Sequence, residues 1–412
     1  MVEADTARGP AATDRPAPRK HTLPPPPGSP NQDGPLGVRF DFNDGCRVRL
    51  PDGAWRLRFS DIETGDVLYD AKLGAGQVKS PKLYYQPYRI EVWKDDVAVF
   101  QHDFDAAGRE VLIHIGGGVL GDTIGWFPYA AKFQEKHGCR LSCAMADFLI
   151  PLFRDAYPEI EFIPHEAVDR ERYYATYHLG VSFKDEAHVL LPCDFRLVGA
   201  HRAMGYALGV DPAEQRPKIV LADDSRPIEE PYVCIAVQST LQCKYWNRPG
   251  GWRELVLSLK AAGYRVVCID QRREYGPREI NNRIPEGCED RTGDRPLVER
   301  ARWLKHADFF VGLPSGLSWL AWAMEIPVVM ISGFSHPVSE FTTPYRVINF
   351  NVCNSCWNDP RVEFDNKNFL WCPRHAGTPR QFECSRQISP GAVMAAIRTI
   401  PGFGQTEGVS AD

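Results

Sequence analysis

The sequence has no unbroken apolar run long enough to cross a membrane, no long basic run and no secretory-type leader. Its longest apolar segment, from Val311 to Ile331, is interrupted by Pro314, Ser315, Gly316, Glu325 and Pro327. That segment reads as strand, loop, helix and strand, which excludes a membrane span. The net charge is −5 and basic residues are dispersed, so neither a nucleic-acid surface nor an anionic-membrane surface is expected. Prolines and charges interrupt the N-terminal residues from Pro10 on, and the expected compartment is the cytoplasm. Without a leader, the twelve cysteines read as reduced thiols and not as a disulfide framework. Eight stand singly in apolar runs, as at Cys234 and Cys268, where a thiol behaves as a small hydrophobe. The other four are clustered.

What is present is an ordinary globular balance, with 43% hydrophobic and 25% charged residues over 412 positions. That length allows two or three domains. Residues 1–36 are rich in Pro, Gly, Ala and charge, and are expected to form a disordered tail. Residues 37–109 alternate in short β-rich segments, such as Ala54–Phe59 and Tyr88–Trp93, separated by turn signals like Asn43-Asp44-Gly45. They are expected to form a small antiparallel β-sheet or barrel domain. From Glu110 the style is α/β. Val111–Ile115 is a strand, a helical stretch runs from about Asp122 to His137, and Arg140–Ala146 is a second strand. The alternation restarts at Tyr232. Two doubly wound lobes are expected, 110–228 and 229–349, with a cleft between them. A cysteine-bearing insert over 350–388 and a C-terminal helix and tail over 389–412 complete the plan.

Ligands of open parallel sheets bind beyond the C-terminal strand ends, so the loops there carry the functional candidates. The first is Gly116-Gly117-Gly118-Val119-Leu120-Gly121-Asp122-Thr123. It matches GxGxxG, but Asp122 would repel a dinucleotide pyrophosphate at that helix start. A helix N-terminus favours an ionised carboxylate. Two readings of Asp122 stand: a cap of the helix, or a general base in a glycine-lined cleft. The second candidate is Gly312-Leu313-Pro314-Ser315-Gly316-Leu317-Ser318. It is either an ordinary strand–helix turn or a diphosphate cradle at a helix N-terminus. In the third, Gln238-Ser239-Thr240 precedes Lys244-Tyr245-Trp246, and Lys244 is either a phosphate neutraliser or a solvated surface cation. The fourth is Asp270-Gln271, a ribose or nucleobase contact or a plain loop pair. Together they place a base in one lobe and diphosphate binders in the other. That division suits a direct, inverting displacement at a sugar carbon, with no catalytic metal required.

The cluster Cys353-x2-Cys356, Cys372 and Cys384 has the spacing of a tetrahedral four-thiolate site. The chain between has no helix or strand period and would be loose without a cross-link. Four sulfurs close the site, so its role is expected to be structural, and spacing allows zinc and iron equally. His375 is a further ligand candidate.

The loop Gly116–Thr123, the Lys244/Trp246 segment and Gly312–Met330 resemble the ADP-heptose glycosyltransferases of the GT-B fold. The resemblance to the autotransporter heptosyltransferases is closer. It takes in the preceding β-rich domain, His102-Asp103-Phe104-Asp105, the run Ser315–Ala323 and the four-cysteine insert, and it covers residues 38 to 398. It implies transfer of heptose from ADP-heptose to serine or threonine hydroxyls of autotransporter adhesin passenger domains. It implies Asp122 as base, Lys244 as the donor-phosphate contact and Ser315, Gly316 and Leu317 as the helix-start loop, while Gly121, Thr123, Gln238, Thr240 and Asp270 are expected donor contacts from their places in the strand-end loops. It also implies one structural iron on Cys353, Cys356, Cys372 and Cys384, and a homo-oligomer, expected to be a dodecamer. Lipopolysaccharide-building relatives usually carry Asp where this chain has Pro314, a departure that favours the protein-modifying branch. The alternatives are a lipopolysaccharide-type transferase acting on a lipid-linked sugar and a non-catalytic nucleotide-binding scaffold.

Overall fold

The computed structural model describes residues 23–117, 119–277 and 280–404. Its N-terminal lobe is built on the run Glu110–Ile115, whose side chains from Val111 onward are buried on both faces. A strand with two apolar faces must be covered on both sides, which is the environment of a parallel sheet. The strand pairs in parallel with Arg140–Met145 on one side and Ala175–Leu179 on the other, and Glu161–Pro164 continues the first flank. The chain therefore leaves Ile115 at a topological switch point, where an open α/β sheet parts its loops and forms a crevice.

The expected division after residue 109 needs correction. Strand Arg39–Asn43 pairs in parallel with Ala175–Leu179, and Arg47–Leu50 and Gly76–Lys79 follow it antiparallel. These strands extend the lobe's own sheet. Only Trp55–Asp61, Val67–Leu73, Tyr88–Lys94 and Val97–Asp103 form a separate antiparallel sheet of four strands. The physical reason is the inward pair Phe40 and Phe42: Phe42 is buried against Tyr88, Phe104 and Tyr174, and Phe40 packs on Phe100 and His102.

The expected tail also needs correction. Residues 1–22 lie outside the described residues, but 23–36 pack on the lobe. Gln32–Asp33 pairs with Arg39–Asn43. Arg47 and Arg170 donate to the carbonyls of Pro27 and Pro24 at 2.7 and 3.2 Å. A proline-rich segment has no internal hydrogen bonds, so its carbonyls are free for such partners. Arg47 is itself fixed by a buried pair with Asp41, 2.5 Å apart.

The C-terminal lobe is a six-stranded parallel sheet in the order Glu289–Asp290, Arg265–Cys268, Tyr232–Ile235, Phe310–Gly312, Val328–Ile331, Arg346–Val347. Its switch point lies beyond Ile235. After the cysteine-bearing insert, helix Pro390–Ile397 returns to bury Val393, Met394 and Ile397 against Leu255 and Val256 of helix Gly251–Ala261. One hydrophobic cluster runs from the first lobe's sheet through Trp319, Trp322 and Phe341, so the lobes share a core. Among the described residues, no helix is long and apolar enough to cross a membrane.

Candidate active site and thiol clasp

Two helices meet at the seam. Helix Leu120–His137 follows the first switch point, and Gly117 turns the chain into it with φ +84°. Helix Gly316–Ala323 follows strand Phe310–Gly312. Their first turns pack closely. A Cβ on Gly121 would lie 2.8 Å from the Trp319 ring, and one on Gly316 would lie 2.8 Å from Leu120 Cβ. Gly125 also faces Trp319, which packs edge-on against His201 and Phe341. Gly121 was read as a donor contact. It does reach the cleft, and its lack of a side chain also lets the helices cross.

The crossing puts both N-termini on one cleft of about 920 Å³ between the lobes. Gly121, Asp122, Gln238, Thr240, Lys244, Asp270, Ser315, Gly316 and Leu317 all line it. Thr123 does not. It is wholly buried, and its hydroxyl finds no partner among the described residues.

The Asp122 carboxylate keeps a window on the cleft but lies deep among protein atoms. Burial raises its pKa from 3.8 to about 6, against the opposing charge of Lys244. Desolvation thus outweighs the pull of the Lys244 charge. The carboxylate makes no hydrogen bond among the described residues, so it is no helix cap; the cap position is Val119. Lys244 ends a short 3-10 turn, Gln242–Lys244, with its Nζ 5.6 Å above the Phe334 ring. Among the described residues no carboxylate sits within ion-pair distance of it. A cation near a carboxylate but not neutralised by it remains available to an anionic ligand. Ser315 caps the second helix with backbone only, which leaves the first-turn N–H groups directed at the cleft.

Asp270 has a different task. Its two oxygens accept from the amides of Val237 at 2.7 Å and Gln238 at 3.3 Å. Burial lifts its pKa to about 6, opposed by those amides, the Cys268 thiol and Arg300. Asp270 therefore shapes the Gln238 loop as well as lining the cleft. The sequence reading missed Arg272, Tyr275, Arg295, His201, Phe334 and Trp357, which also line the cleft. They lie in connections or on buried faces, and no local pattern marks them.

The four cysteines lie in one neighbourhood, but among the described residues no three of their sulfurs lie within 4.8 Å of one another. Cys353 and Cys356 have Sγ atoms 4.0 Å apart. Burial raises the Cys384 thiol pKa, and Cys356, Cys372 and Cys353 raise it further. Thiols that oppose one another's ionisation become thiolates together when a cation sits among them. Two bends of the clasp are left-handed, Ser355 at φ 56° and Phe382 at φ 57°. The chemistry of these donors fits a bound metal ion. Cys353, His375 and Glu383 also place ligand atoms within 4.8 Å of one another. Glu383 is already held by Arg380 at 2.6 Å and accepts from the Cys353 amide at 3.1 Å.

The clasp also touches both lobes. Trp357 packs on Phe183 and Phe195 of the first lobe, with ring centroids 5.6 and 5.4 Å away. Asn358 Nδ2 donates to the Arg196 carbonyl at 2.8 Å, and its Oδ1 accepts from the His336 amide at 2.9 Å.

Two Rossmann-type lobes sharing one cleft define the GT-B class of glycosyltransferase. A family model for the N-terminal domain of glycosyltransferase TibC matches residues 34–96, and the glycosyltransferase family 9 (heptosyltransferase) model matches residues 125–371. The chain is 53% identical to the inactive autotransporter heptosyltransferase BimC of Burkholderia thailandensis, over 92% of this chain and 89% of that protein. It is 47% identical to the autotransporter heptosyltransferase TibC of Escherichia coli O78:H11, over 94% and 95%. The crystal structure of dodecameric iron-containing TibC in complex with ADP-D-β-D-heptose superposes with a TM-score of 0.88 at 47% identity, covering 91% of this chain and 98% of that one. This chain belongs to glycosyltransferase family 9, in its autotransporter heptosyltransferase branch.

Proposed function

We propose that this protein transfers heptose from ADP-heptose to serine or threonine hydroxyls of an autotransporter adhesin passenger domain, inverting the anomeric centre. One observation carries the reading: Asp122 of one lobe faces Lys244 and the Gly316 helix start of the other across a single cleft. With its pKa raised to about 6, Asp122 is a stronger base than an ordinary Asp and still ionised at neutral pH. It takes the proton of the acceptor hydroxyl as that oxygen attacks the anomeric carbon. The bond from that carbon to the diphosphate oxygen breaks on the opposite face, and the departing ADP keeps the electron pair. Lys244 and the N–H groups of Gly316 and Leu317 receive the charge that develops there. Gln238, Thr240 and Ser315 complete the donor side, and Asp270 holds its loop.

In this reading Cys353, Cys356, Cys372 and Cys384 hold one structural iron, the metal named for the related crystal structure. Bound there, it would tie the clasp together. A reduced four-thiol site suits a cytoplasmic enzyme acting before its acceptor is exported. The assembly is a homododecamer, as in both related TibC structures. The domain plan is retained as two lobes, with the clasp at 350–388 as a separate insert.

A non-catalytic scaffold is the second reading, and one observation favours it: BimC, 53% identical, is named inactive. The two readings separate when the purified protein is incubated with ADP-heptose and a passenger fragment. Heptose on the fragment supports transfer. ADP-heptose binding without transfer supports the scaffold, and heptose only on a lipid acceptor supports the lipopolysaccharide-type alternative.

A further inference from the structure

The clasp is joined to the donor site through one short turn. Leu241 and Cys243 are buried in a small cluster with Phe334, Trp371 and Phe382, against which Cys356 and Cys372 pack. Lys244 follows Cys243 directly, and its ammonium lies over Phe334 of that cluster. The turn is closed by Asn247, whose Nδ2 donates to the carbonyls of Gln242 and Tyr245 at 3.0 and 2.9 Å. Asn247 is in turn held by the residue after the last clasp cysteine. Ser385 Oγ accepts from the Asn247 amide at 3.2 Å and from its Nδ2 at 3.0 Å. From the other side, the Gln242 backbone N–H donates to the Phe369 carbonyl within the clasp at 2.9 Å. Two supports of the Lys244 turn, Ser385 and Phe369, therefore come from chain that the four cysteines bracket or adjoin, and Asn282 adds a third from outside it through Gln242. Gly333 explains how the clasp sits so close: a Cβ there would lie 2.5 Å from the Cys384 carbonyl oxygen.

We infer that the four-thiol clasp is a positioning device for the donor cation: through Ser385 and Asn247 it fixes the turn that aims Lys244 into the cleft. Loading of the clasp then sets the affinity for the ADP moiety, in addition to holding the fold. This rests on Lys244 contacting the donor diphosphate, as proposed above. Ser385 is a positioning residue and touches no substrate in this scheme.

The test uses the full-length, metal-loaded assembly and calorimetric ADP binding, with metal content and melting temperature measured on the same samples. Ser385→Ala removes one buried acceptor, and ADP affinity is expected to fall about three- to tenfold, the loss that one hydrogen bond commands. Metal content is expected to stay at the wild-type level. In turnover, donor KM rises and kcat falls with it, because Lys244 also takes up the charge of the departing ADP, and Ser385→Thr restores most of both. In a Lys244→Ala background the same Ser385→Ala change has no further effect on ADP binding, because the group it aims is gone. Should Ser385→Ala fold poorly, Asn247→Ala is carried through the same cycle with the same expectation. Unchanged ADP affinity in a metal-replete Ser385→Ala protein overturns the inference, as does an undiminished effect in the Lys244→Ala background. Wild-type protein that binds no ADP overturns instead the donor reading beneath it.

Discussion

Replacing Asp122 by Asn should make the protein more stable and nearly inactive. The carboxylate's pKa rises from 3.8 to about 6 because burial disfavours its charge. The sign follows from proton linkage. Between those two values the folded state holds a proton that the unfolded chain has lost, so stability falls as pH rises through the window. At neutral pH the fold thus carries a charge that costs it about 1–3 kcal/mol. An amide of the same shape removes that charge, and no protein hydrogen bond to Asp122 is forfeited. On the catalytic side, loss of a general base costs about 10²–10⁴ in rate, or about 3–5 kcal/mol of transition-state stabilisation. The assay pairs urea denaturation at pH 7.5 with heptose transfer under saturating donor. ADP affinity should change little, since Lys244 and the helix start remain. In the wild type, kcat/KM should fall about tenfold per pH unit below about pH 6. A variant that transfers heptose at the wild-type rate would refute the assignment. A variant that is inactive and much less stable would refute the claim that Asp122 is a strained, unsatisfied charge.

Three further outcomes follow from the same geometry. Gly121→Ala puts a methyl 2.8 Å from the Trp319 ring and should cost about 1–3 kcal/mol in denaturant unfolding while depressing activity, because the two helix starts are forced apart. Cys372→Ser opens the four-thiol site; metal analysis and size-exclusion chromatography should show loss of metal and of assembly, with activity lost as a consequence. A soluble, fully assembled, inactive Cys372→Ser protein would contradict that order of events. Asp44 is raised by burial but lowered overall to about 2 by His178 and Arg170, so it contributes stability above pH 3.8 that is lost as pH falls toward 2. The stability gap between wild type and Asp44→Asn, about 2 kcal/mol at pH 7, should therefore close on acidification.

The loops at strand ends were legible because their positions follow from topology: a parallel sheet opens at its switch point, and the Gly116, Gln238 and Ser315 loops all fall there. Spacing pointed to a thiol clasp, and the structure sets Cys353 beside Cys356 and places His375 and Glu383 near it, partners that spacing did not single out together. What escaped the sequence depends on partners far along the chain. Phe40 and Phe42 look like any alternating β segment, yet their strand pairs with Ala175–Leu179. Pro24 and Pro27 sit in a segment of disordered composition, but their carbonyls are taken by Arg170 and Arg47. Asp122 follows a loop of dinucleotide type and starts a helix, which says nothing of its depth in the seam, and that depth is what raises its pKa. Trp357 reads as part of an irregular insert, and its place in the cleft wall comes from packing on Phe183 and Phe195.

The central claim is transfer of heptose to protein, and intact-protein mass spectrometry of an adhesin passenger fragment tests it most directly. Incubated with ADP-heptose and this protein, the fragment should gain whole heptose residues on serine or threonine, and the Asp122→Asn protein should give none. A fragment of unchanged mass, with ADP-heptose bound by the protein but not consumed, would contradict the account.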